Sequence, residues 1–73
     1  MAAAQYEIVV KGELGPTVSS AFEGMRIECH GGETAMVGLV EDQAQLTGLL
    51  RRVADLGLEL VSVGKVSIEG SGR

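Results

Sequence analysis

A chain of 73 residues has room for one domain, because at this size folding buries only about 60% of the unfolded surface and a single core must do all the work. Apolar residues make up 45% of the chain and charged ones 22%, which fits a globular domain and not a solvated tail. The net charge of −4, with six scattered Lys and Arg, excludes the basic face a nucleic-acid partner requires.

Aromatics are limited to Tyr6 and Phe22, so the core has to be aliphatic, built from Val, Leu, Ile and Met. One cysteine, Cys29, forms no intramolecular disulfide, and the opening Met-Ala-Ala-Ala-Gln-Tyr has no charged leader followed by an apolar run. The expected location is cytoplasmic. No apolar run nears the roughly 20 residues that cross a bilayer, so no membrane role is expected. Met1 to Ala4 and Gly70 to Arg73 read as frayed ends, leaving one ordered core over about 5–68.

Tyr6 to Lys11, YEIVVK, alternates Tyr6, Ile8 and Val10 with Glu7, Val9 and Lys11, the period of a strand with one face more buried. Gly12 and Gly15-Pro16 break it. Pro16 has no N–H to lose at a helix start, so residues 16–23 are expected to form a short helix. That helix puts Val18, Ala21 and Phe22 on one side before Gly24 stops it.

Met25 to His30 alternates again, and Gly31-Gly32 signals a tight hairpin into Glu33 to Val40. A two-residue loop pairs His30 with Glu33, Cys29 with Thr34 and Ile27 with Met36. Met25, Ile27, Cys29, Met36 and Val40 then line the core. Ala35, Val37 and Leu39 are left on the opposite face, where a monomer in water normally shows polar residues. A three-residue loop would bring those three inside and expel Met36 and Val40, so either register leaves apolar residues out. The doubly apolar strand makes Ala35, Val37 and Leu39 the candidate interface of a homo-oligomer, most simply a dimer.

From Asp42 the period is helical, with Ala44, Leu46, Leu49, Leu50, Val53 and Leu56 as the apolar stripe. Asp42 is a good N-cap, Gln45 completes a capping-box-like pair, and Gly57 supplies the stop. Gly48 inside this helix costs about 1 kcal/mol against Ala, which points to a close approach of backbone to the sheet. Arg51-Arg52 complement the macrodipole in the last turns. Leu58 to Val63, extending toward Ile68, reads as the final strand.

Strand, short helix, strand, strand, helix, strand is the order of the ferredoxin-like split βαβ, an α+β fold in which a four-stranded antiparallel sheet carries one long and one short helix on one face.

The chemistry-bearing residues are few. Cys29 and His30 are strand neighbours and point to opposite faces, so they make no nucleophile-base pair. Cys29 is expected as a small core hydrophobe and His30 as a solvated loop residue. One Cys and one His cannot close a zinc site, so no metal or cofactor is expected. Glu41-Asp42, the only adjacent carboxylates, start a helix where capping explains them. Gly31-Gly32 lacks the Lys-Ser/Thr of a P-loop and opens a strand. No catalytic constellation remains, and the expectation is a protein that is not an enzyme.

The stretch VEDQAQLTGLL and the following Leu-Gly-Leu before a β run resemble ACT regulatory domains, ferredoxin-like modules that often bind amino acids at a dimer interface. That resemblance implies a ligand site at Glu41, Asp42 and Gln43 beside the long helix. Gln43-Ala44 stands where that family usually has Pro-Gly. Nearly the whole chain is similar to a group of short bacterial proteins, frequent in actinobacteria, without an assigned biochemical function. Asp42-Gln43-Ala44, Gly48-Leu49-Leu50 and Asp55-Leu56-Gly57-Leu58 carry that match. Two functions are therefore expected: a self-associating interaction module working through the helix-free face, or an ACT-like sensor of a small metabolite.

Overall fold

The computed structural model describes residues 2–66. In chain order the elements are β1 (Ala4–Lys11), α1 (Pro16–Ser19) with a 3₁₀ turn (Ser20–Phe22), β2 (Arg26–His30), β3 (Glu33–Val40), α2 (Gln43–Asp55) and β4 (Leu60–Lys65). The protein is α+β, with two helices and one four-stranded sheet ordered β2-β3-β1-β4. All three neighbouring pairs run antiparallel.

The hairpin register follows from the two glycines. Gly31 and Gly32 have φ of 54° and 83°, a left-handed pair that twists with the strands as a two-residue turn must. His30 then pairs with Glu33, Cys29 with Thr34 and Ile27 with Met36, as expected from a two-residue loop. With that pairing set, Thr34, Met36 and Val40 fall on the core face and are fully buried.

Ile8 and Val10 from β1, Met36 from β3, Phe22 from the 3₁₀ turn and Val53 from α2 form one buried cluster. Residues of both helical segments therefore cover the same side of the sheet. Each such side chain contributes about 1.5–3 kcal/mol on leaving water. Leu14, Val18, Ala21, Met25, Ile27, Leu49, Leu50, Leu58 and Val63 pack around it, half-buried.

Several expectations need correction. β1 begins at Ala4, because Ala4 pairs with Val40 and Gln5 with Leu39, so the N-terminal strand is tied down two residues earlier than the alternation suggested. The first helix is one α-turn continued by a 3₁₀ turn, in keeping with the weak helix formers Thr17, Val18, Ser19 and Ser20. β4 starts at Leu60, since Leu58 is spent closing α2 and a bulge between Val9 and Val10 shifts the pairing at Leu60. Ile68 and Gly70 to Arg73 lie outside the described residues.

α2 is capped at both ends as read. Asp42 accepts from the Gln45 N–H at 2.8 Å, while the Gln45 side chain accepts from the Glu41 N–H at 2.7 Å, one residue upstream of the usual capping-box donor. At the other end Leu58 N–H donates to Val53 and Gly57 N–H to Ala54, both at 3.0 Å, a Schellman closure that needs the left-handed Gly57 at φ 74°. The stripe is less buried than expected. Val53 alone is buried, Leu46, Leu49 and Leu50 are half-buried, and Ala44 and Leu56 are exposed.

Gly48 makes no close approach: it is exposed, and a Cβ there would meet nothing within 4 Å. The glycine that does is Gly38 on β3, where a Cβ would sit 3.0 Å from Met25 Cγ and 3.4 Å from Met25 Cα. The chain needs a side-chain-free position there because Met25 closes over it as the loop enters β2. The two helical segments are tied by Arg52, whose Nη1 donates to the Ala21 carbonyl at 2.7 Å. Its role thus extends beyond complementing the macrodipole of its own helix.

Cys29 is also displaced from its expected place in the core. It is exposed on β2, an edge strand with a neighbour on one side only. Its Sγ lies 3.6 Å from Thr34 Oγ1. Thr34 gives its single hydroxyl hydrogen to the Gly12 carbonyl at 2.7 Å, so the thiol must be the donor in the contact with Cys29. Through these two contacts the only buried polar side chain of the described residues joins β3 to the end of β1 and to β2.

Candidate functional site

The site is built by strand alternation. With Ile8, Val10, Met36 and Val40 directed to the core, the residues between them must face the other way. β3 thereby presents Glu33, Ala35, Val37 and Leu39 on the helix-free face, and β1 presents Gln5, Glu7, Val9 and Lys11 beside them. Arg26, Glu28 and His30 of β2 complete one margin; Ser62 and Gly64 of β4 complete the other.

Across the strands these residues form rows. Glu28, Ala35, Val9 and Ser62 make one row, and Arg26, Val37, Glu7 and Gly64 the next. His30, Glu33 and Lys11 lie at the hairpin end, with Leu39 and Gln5 at the opposite end. The centre of the face is apolar and its margin toward β2 is charged.

The three predicted interface residues do share this face. Ala35 and Val37 are half-buried, and Leu39 remains 52% exposed. The difference has a cause in the register. Arg26 and Glu7 flank Val37, whereas β2 begins at Arg26 and offers Leu39 no neighbour on that side. Val9, half-buried opposite Ala35, belongs to the same apolar patch. It was legible in the run Ile8-Val9-Val10, which puts one apolar residue on the polar phase of β1.

Along the β2 margin Glu28 is held from both sides. Arg26 Nε lies 3.5 Å from Glu28 Oε2, and His30 Nε2 lies 3.3 Å from Glu28 Oε1. All three side chains are mostly exposed, so this ladder orders the rim more than it stabilises the fold.

Glu41, Asp42 and Gln43 come together at the start of α2 and are all exposed. Asp42 and the Gln45 side chain are engaged in closing the helix, and the backbone N–H of Glu41 is held by Gln45 Oε1. Cys29 and His30, on alternate faces of β2, make separate contacts with Thr34 and Glu28. Among the described residues no three of His, Cys, Asp and Glu gather where they could hold a metal, and no cleft or cavity forms. No helix of the described residues is long and apolar enough to cross a membrane.

One protein family, a domain of unknown function designated DUF8691, matches residues 5–64, a span that includes all four strands nearly in full and both helices. No curated protein and no solved structure matches the chain.

Proposed function

The chain belongs to the DUF8691 family, and from that premise we propose that it is a non-enzymatic interaction module that self-associates through the helix-free face of its sheet. The observation that carries the reading is the doubly apolar β3. Its core face is sealed by Met36 and Val40, while Ala35, Val37 and Leu39, joined by Val9, line the side no helix covers. Covering such a patch removes apolar area from water, the main driving term in protein association. The partner is a second copy, giving a homodimer.

The fold under this reading is the ferredoxin-like split βαβ. The order β2-β3-β1-β4 supports it: β1 and β2 border β3, β3 and β4 border β1, and each helical connection therefore spans one intervening antiparallel strand. That arrangement leaves a whole sheet face free for a partner.

The deciding experiment is native mass spectrometry together with sedimentation equilibrium at micromolar protein. A mass of two chains is expected. A mass of one chain, with Val37 and Leu39 accessible to solvent by hydrogen-exchange or footprinting, sinks the proposal. The ACT-like alternative, a metabolite at Glu41, Asp42 and Gln43, has less behind it, because two acidic side chains stand where an anionic group would meet the helix N-terminus. A thermal shift with an amino acid or related metabolite is the result that would favour it.

A further inference from the structure

We infer that the second copy docks about a twofold axis parallel to the strands and running between β1 and β3, so that β3 of each protomer lies over β1 of the other. The inference rests on the self-association proposed above and adds the arrangement of the partner.

The uneven relief of the face carries it. Its β2 margin bears the long side chains Arg26 and Glu28, while the same two rows end on β4 in Ser62 and Gly64. In these two central rows one side of the face is high and the other low. An axis parallel to the strands exchanges the two margins and seats Arg26 and Glu28 over Gly64 and Ser62 of the second copy. An axis across the strands instead sets the tall margins on one another and leaves the two β4 strands facing across a gap; both axes set Glu7 against an apolar side chain of the second copy, Val37 or Val9, so that row does not separate them.

Charge is satisfied by the same arrangement. Lys11 and Glu33 are cross-strand partners in the outermost row of the two central strands. Exchange of β1 and β3 by the axis puts each Lys11 over a Glu33 of the second copy, a square of alternating sign, and sets Ala35 over Val9 in the next row. Packed sheets cross at about 30°, which displaces an end row by only a few ångströms, within the reach of lysine and glutamate side chains. A twofold contact of this kind is isologous and closes at two copies.

The test is a charge exchange read by sedimentation velocity and native mass spectrometry, with circular dichroism to verify folding. Lys11→Glu and Glu33→Lys each place like charges together and are expected to weaken the homodimer by about tenfold or more. Mixed one to one, the two variants are expected to form a heterodimer at least as tight as the wild-type dimer. As a second probe, Gly64→Gln enters space where a Cβ meets nothing within 4 Å in the protomer, so it should fold normally and yet fail to dimerise because it meets Arg26 of the second copy. A wild-type dimer that all three substitutions leave intact overturns this axis while leaving self-association standing. Weakened single variants that do not rescue one another overturn it as well. A wild-type protein that stays a single chain overturns both.

Discussion

Leu39→Ala separates the two things an apolar surface residue can do. Leu39 is 52% exposed in the protomer, so about half of its side chain is already packed and the other half is what a partner would cover. Full burial of a leucine contributes about 1.5–3 kcal/mol, which leaves about 1 kcal/mol per copy for the interface. A symmetric dimer counts it twice. The expected loss is therefore about 2 kcal/mol, or roughly a 30-fold rise in the dissociation constant. Sedimentation equilibrium over a range of concentrations measures that constant, and chemical denaturation well below it measures the protomer alone. Unfolding of the protomer should fall by only about 1 kcal/mol, the share of Leu39 already packed. A variant whose dimer dissociates within threefold of wild type, while its protomer loses the larger part of the free energy, refutes the reasoning and makes Leu39 a residue of the fold.

Four further expectations concern the scaffold. Thr34→Val keeps the shape of a fully buried side chain but strips the bond to the Gly12 carbonyl; it should cost about 1 kcal/mol and lower Tm by about 4–8 °C in calorimetry. Asp42→Ala removes the acceptor for the Gln45 N–H and should cost about 1 kcal/mol by urea titration, with no change in the m-value if the denatured state is unaffected. The two glycines should respond with opposite sign. Gly48→Ala, in an exposed helix with open space around it, should raise stability by about 1 kcal/mol. Gly38→Ala should lower it, because the new Cβ meets Met25 at 3.0 Å, and a Gly38→Ala variant as stable as wild type would show that Met25 yields at no cost.

Much of this fold could be read along the chain. Gly31-Gly32 sets the hairpin and hence the phase of β3, Asp42 and Gln45 close one end of α2, and Gly57 closes the other. These signals are local: each depends on φ values or hydrogen bonds within a few residues, which is why alternation and capping rules reach them. The same phase places Ala35, Val37 and Leu39 together away from the core, so the proposed interface was legible before any packing was known.

The remainder is set by contacts between residues distant in sequence. Gly38 and Gly48 are indistinguishable as letters in apolar runs, and only the position of Met25 shows which of them a side chain would disturb. Cys29 alternates with the core-facing residues but ends exposed, because periodicity assigns a face and says nothing of which strand takes the edge of the sheet. Arg52 reaches the Ala21 carbonyl across 31 positions of sequence, a pairing no local rule anticipates. Periodicity and turn chemistry determine which way each side chain points; the strand order β2-β3-β1-β4 and the limited span of two helices decide which of those directions lead into a core and which open onto water.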